Sequence, residues 1–94
     1  LIQREAEALG MACAFDAIGN FSAATASDSG KYIEFASHLD TVPFGGNFDG
    51  AAGVVAGLAA VRSIVHSGAA LRHGLKIRVW RLEEGSTFNA VCMG

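Results

Sequence analysis

Residues Ser37 to Gly50, S-H-L-D-T-V-P-F-G-G-N-F-D-G, decide how this chain is read. His38, Asp40 and Asp49, three groups able to bind or orient a metal, fall within one Gly/Pro-rich turn. An apolar run with strand character, Lys31 to Ser37, leads into that turn, and a helix pattern, Gly50 to Ser67, leads out of it. A second acidic pair, Glu83-Glu84, stands at the end of another apolar run. Two such clusters, each where a strand stops, predict a metal site at one rim of a sheet.

Working outward, Tyr32, Ile33, Phe35 and Ala36 read as a central strand buried on both faces. If that strand continues through His38 and Asp40, their side chains point the same way. On the other side, Val54, Leu58, Val61 and Val65 form an apolar stripe at helical spacing. Gly53, Gly57 and Ala60 line a neighbouring strip. Each glycine costs a helix about 1 kcal/mol relative to alanine, so close packing against a sheet is the expected compensation. Leu75 to Leu82 reads as a second strand, parallel to the first and joined to it by a helical crossover.

Before this unit, Ile2 to Leu9 has helical spacing and Gly10 as a stop. Met11 to Ala17 and Phe21 to Thr25 read as short strands around the turn Asp16-Ala-Ile-Gly-Asn20, and hairpin-like pairing is expected across the polar loop Ala26 to Gly30. The order α-β-β-β-α-β predicts an α/β fold, a layered α/β/α domain with a mixed, partly parallel sheet.

Ninety-four residues, half of them apolar, allow one small globular domain. Seven basic and nine acidic residues without a basic block argue against nucleic acid and membrane surfaces as partners. No apolar run reaches the roughly 20 residues of a membrane span. Cys13 and Cys92 lie in apolar contexts without metal-type spacing and read as free thiols of a cytoplasmic protein. The chain begins inside a helix pattern and ends in an apolar stretch, so it is expected to be a segment of a longer protein.

An imidazole with carboxylates suits Zn, Mn or a similar divalent ion. Asp49 could serve two ions about 3.5–4 Å apart, Asp40 could accept the second ring N–H of His38, and one of two adjacent glutamates could act as base while the other ligates. Taken singly, each residue has a structural reading. A strand-end His is commonly a hydrogen-bonding group, Asp49 before a helix can be an N-cap, Asp40 can begin an Asx-type turn, and Glu83-Glu84 can be a solvated turn. His66 and His73 read as surface residues.

The motifs together resemble the M20 metallopeptidase superfamily. The match is closest to its N-carbamoyl amino acid amidohydrolase branch, which includes allantoate amidohydrolases and β-ureidopropionases. H-L-D-T-V-P-F-G-G-N-F-D-G and E-E-G-S-T-F fit the branch patterns H-L-D-[ST]-V-x-x-G-G-x-[FY]-D-G and E-E-G-S-x-F, and Asp16 to Asn20 fits its D-x-x-G-N turn.

That resemblance implies a zinc-peptidase-like catalytic domain with two divalent metal ions, Zn or Mn, with Co or Ni as further candidates. It implies His38 and Glu84 as ligands of different ions, Asp49 as the bridging carboxylate, Asp40 as the residue orienting His38, and Glu83 as general base. It also implies an unusual peptide bond after Asp49. The activity implied is hydrolysis of a linear C–N amide or ureido bond of an N-carbamoyl or ureido small molecule by a metal-activated water. The runner-up readings are a metallo-aminopeptidase or carboxypeptidase, and a non-catalytic α/β module that binds metal or a protein partner.

Asn47 and Thr87 stand where the family often has a basic residue. Two further His ligands, an Arg/Asn/His set for the substrate carboxylate and a dimerisation domain are implied by the resemblance but not supplied by these residues. Residues 1–94 are therefore expected to be part of a catalytic domain from a homodimeric enzyme, inactive alone and prone to self-association.

Overall fold

A computed structural model describes residues 1–85. The elements are α1 (Ile2–Ala8), β1 (Ala12–Phe15), β2 (Phe21–Ala24), β3 (Tyr32–His38), α2 (Ala51–Ser67) and β4 (Gly74–Trp80), each close to its expected place. The four strands make one mixed sheet in the order β1-β2-β4-β3. β3 and β4 pair in parallel from Tyr32↔Gly74 to His38↔Trp80, with α2 as the crossover. β1 and β2 pair antiparallel around the Asp16–Asn20 turn, and β2 pairs antiparallel with β4.

That order corrects two expectations. The hairpin is closed by Asp16–Asn20, and nothing pairs across Ala26–Gly30, because β4 is inserted between β2 and β3. β3 is therefore an edge strand within the described residues, with Tyr32 and Ile33 exposed. The central strand is β4, whose Leu75, Ile77 and Val79 are almost fully buried. A largely apolar run signals sheet membership without saying which strand lies inside.

The core gathers Leu75, Ile77 and Val79 with Phe21 and Ala23 of β2, Val54 and Val61 of α2, and Ala6 and Met11 beside α1. Residues aligned in register share a sheet face, so this set lies on the face that α2 and α1 cover. The opposite face carries Glu34, bridged to Lys76 and Arg78, with Arg78 stacked on Trp80; among the described residues no helix covers it.

The glycine strip of α2 does what its propensity cost implied. A Cβ on Gly57 would stand 3.0 Å from the Phe35 Cβ, and one on Gly53 would stand 2.8 Å from the Ser37 Cβ. The buried α2 residues are Val54, Gly57 and Val61, while Val65 at the stripe's end is exposed.

Candidate metal centre

β3 stops at His38, and the parallel pair delivers His38 and Trp80 to the same rim. Beyond them the chain turns irregularly on both sides. The loop after His38 folds back so that Asp49 Oδ2 accepts hydrogen bonds from Thr41 Oγ1 at 2.9 Å and the Val42 amide at 3.1 Å. Asp49 is thus not a helix cap: the N-cap is Gly50, without a side-chain cap bond. Gly50 has φ 69° and sits against His38, where a Cβ would approach the His38 carbonyl oxygen to 2.7 Å. Left-handed backbone and lack of space both call for glycine there. Every described peptide bond is trans, so the bond after Asp49 is ordinary and the positive φ of Gly50 makes the turn.

Asp40 does not lie on β3, and its carboxylate makes no hydrogen bond to His38. The His38 Nδ1–H donates to the Asp40 backbone carbonyl at 2.8 Å, whereas the carboxylate oxygen is 3.8 Å away. The strand ends before Asp40, so the alternation that would have aligned the two side chains no longer applies. The Asp40 carboxylate turns across the rim instead, accepting the Glu84 amide at 2.8 Å and the Glu83 amide at 3.3 Å. A carbonyl only accepts, so Nδ1 carries the proton in the neutral ring and the Nε2 lone pair faces outward.

Nε2 faces Glu83 Oε2 at 3.8 Å and Asp49 Oδ1 at 4.0 Å. Ligand atoms of His38, Glu83 and Glu84 lie within 4.8 Å of one another. Bonds of about 2.0–2.2 Å place two ligands of one ion at most about 4.4 Å apart. The His38–carboxylate spacings meet that limit, and the wider cluster is a few tenths of an ångström from it. His38, Asp49, Glu83 and Glu84 are all half-buried.

The electrostatics also suit a cation. Burial pushes the Asp40 carboxyl up, but the Glu84, Glu83 and Asp40 amides and His38 outweigh it and leave it below its ordinary value. The Val42 amide and Thr41 hydroxyl hold Asp49 low. Glu84 is pushed up, first by burial and then by the charges of Asp49 and Glu83. Carboxylates packed this closely repel, and a divalent ion would relieve the repulsion. The donor set therefore fits such an ion.

One supporting residue was not identified from sequence beyond its turn. Asn20 is 3% exposed, and its Oδ1 accepts the Arg81 amide at 2.8 Å. Asp16 fixes Asn20 in turn by accepting its side-chain and backbone N–H groups, each at 2.9 Å. The D-x-x-G-N turn thus reaches under the rim that carries the acidic pair. The S-T-F end of the second motif and Cys92 lie outside the described residues, while Cys13 is a free thiol.

Residues 18–91 match the family model of peptidase family M28. The motifs resemble the M20 superfamily, and the carbamoylase branch they point to recurs among the relatives. An N-carbamoyl-L-amino-acid amidohydrolase of Rhizobium meliloti is 45% identical over 56 residues, covering 60% of this chain and 14% of that protein. A ureidoglycolate hydrolase of Oryza sativa subsp. japonica is 34% identical over 88 residues, covering 92% of this chain and 18% of that protein. In structure, a hydantoinase/carbamoylase family amidase from Burkholderia ambifaria superposes with a TM-score of 0.86 at 37% identity, over 96% of this chain and 23% of that one. The chain spans only about a fifth of the length of such relatives.

Proposed function

The chain belongs to peptidase family M28, and from that premise we propose that it contributes the metal-binding rim of an amidohydrolase that cleaves a linear C–N amide or ureido bond. The observation carrying this is the convergence of His38 Nε2 with Asp49 and Glu83 carboxylate oxygens within 4.0 Å, beside Glu84. His38, Asp49 and Glu84 would hold divalent metal, two ions with Asp49 shared between them, Zn or Mn foremost. An ion there supplies Lewis-acid polarisation of the substrate carbonyl and acidifies water.

Glu83 is the group placed to move the proton. Its carboxylate takes a proton from the attacking water and returns it to the nitrogen as the C–N bond breaks. With 36% of its side chain exposed, it remains open to a substrate approaching the rim. Asp49, held by Thr41 and Val42 through Oδ2, keeps Oδ1 directed at the cluster.

The substrate class we assign is an N-carbamoyl amino acid, allantoate or a related ureido acid, in line with the names of the relatives. The peptidase family description favours one second reading, a peptide substrate. Residues 1–94 would be part of a catalytic domain whose other half and dimerisation domain lie elsewhere in a longer, homodimeric, cytoplasmic enzyme. No helix among the described residues is long and apolar enough to cross a membrane. The test is a panel of N-carbamoyl amino acids, allantoate and dipeptides offered to the full-length enzyme carrying this segment. Ammonia release from the ureido compounds supports the reading, and cleavage of dipeptides alone supports the peptidase. The 94-residue chain should turn over none of them.

A further inference from the structure

The backbone from Arg81 to Glu84 brings the acidic pair to the rim, yet it belongs to no helix or strand. Leu82 within it has φ 55°, a left-handed conformation that a branched side chain adopts at a cost of about 1 kcal/mol or more. Such a segment keeps one shape only if its surroundings over-determine it. Here its amides are carried by side chains from two other loops, those that follow β1 and β3. Asn20 Oδ1 takes the Arg81 amide at 2.8 Å, and the Asp40 carboxylate takes those of Glu83 and Glu84 at 3.3 and 2.8 Å.

Asp40 meanwhile fixes His38 through a different atom, its backbone carbonyl, at 2.8 Å. One residue thus holds both halves of the cluster, with its main chain on the imidazole and its side chain on the glutamates. We infer that the Asp40 carboxylate is a positioning residue for Glu83 and Glu84, setting the separation between the acidic pair and the imidazole. This rests on the metal reading above for its purpose, though not for its geometry. It makes the two tasks of Asp40 separable by mutation. A side-chain substitution removes the acceptor for the glutamate amides and leaves the carbonyl that holds His38 in place.

The test uses Asp40→Asn and Asp40→Ala in the 94-residue chain, with three readouts taken at pH 8. Nitrogen-15 spectra of the imidazole should show His38 as the Nδ1–H tautomer in wild type and in both variants. The Glu83 and Glu84 amides should shift and exchange with solvent at least ten-fold faster in Asp40→Ala, with Asp40→Asn between. Zn²⁺ affinity should fall ten-fold or more in Asp40→Ala.

A change of His38 tautomer with the two amides unmoved would overturn the inference, as would lost amide protection with Zn²⁺ affinity unchanged. Should neither variant fold, the wild type alone decides. A through-hydrogen-bond coupling between the Glu84 amide nitrogen and the Asp40 carboxyl carbon supports the arrangement, and its absence contradicts it. A wild-type chain that takes up no Zn²⁺ contradicts the metal reading, while tautomer and amide shifts still judge the clamp.

Discussion

The two ends of the parallel pair β3 and β4 make an instructive contrast. Each end gathers loops around one histidine. At the end where both strands begin, His73 Nδ1 lies 3.0 Å from the Ser29 hydroxyl, and Ser27 Oγ donates to the Lys31 carbonyl at 2.8 Å while accepting the Gly74 amide at 3.2 Å. Hydroxyls there staple loops together. A cleft of about 320 Å³ opens beside them, between Thr25–Asp28, the end of α2 and Leu71–His73. Where the strands end, the groove touching Asp40 is smaller, about 250 Å³, and mostly apolar. Yet among the described residues only that end sets carboxylates around an imidazole nitrogen. Cavity size and chemistry part company here, and convergence of charge is the better guide, in keeping with ligand binding beyond the carboxyl ends of parallel strands.

Experiments can break this contrast. The largest effect is expected from Glu83→Gln, which keeps shape and removes the base. In the full-length enzyme, turnover should fall by about 10²-fold or more while Zn²⁺ affinity stays within a few-fold. Retained turnover would remove Glu83 from the mechanism. Gly53→Ala comes next. Its Cβ would meet the Ser37 side chain beside His38, so the chain should lose about 1–3 kcal/mol in chemical denaturation despite the better helix propensity of alanine. A gain in stability would show that α2 can move off the rim.

Acid should act on the same end. Asp40 and Asp49 are held below their ordinary values, so their contribution is present above the unfolded-state carboxylate range. It is lost as pH falls through their lowered folded-state values. Denaturation midpoints measured between about pH 5 and 2 should therefore drop, and less so in Asp40→Asn. Smallest and opposite in sign is Glu84. Its carboxyl is raised, so the folded state binds its proton more tightly and loses stability as pH rises past the ordinary Glu range. Glu84→Gln should slightly raise the Tm of the metal-free chain at pH 7 while weakening its hold on Zn²⁺. A lowered Tm would mean that the like-charge crowding is not felt.

Much of this was legible in sequence, for identifiable reasons. α2 announced itself by period, and Gly53 and Gly57 told by their cost that something lay close. The parallel β3–β4 pair followed from the crossover between two apolar runs. Strand order did not follow, because Tyr32–Ala36 and Leu75–Trp80 are both largely apolar and only the insertion of β4 beside β2 makes one of them the edge. At the rim, the motifs drew His38, Asp40, Asp49, Glu83 and Glu84 into one neighbourhood. Which atom of Asp40 meets His38 depended on where the strand stops, and two-residue spacing cannot report that. The reach of Asn20 to Arg81 spans 61 positions and left no local trace.

The most direct test of the account is isothermal titration of the metal-free chain with Zn²⁺ and Mn²⁺, run beside Asp49→Ala at one end and His73→Ala at the other. Binding at micromolar concentration or tighter, lost in Asp49→Ala and kept in His73→Ala, is the result the account predicts. Binding that is absent, or indifferent to Asp49, would contradict it and leave the rim a fold feature without a working site.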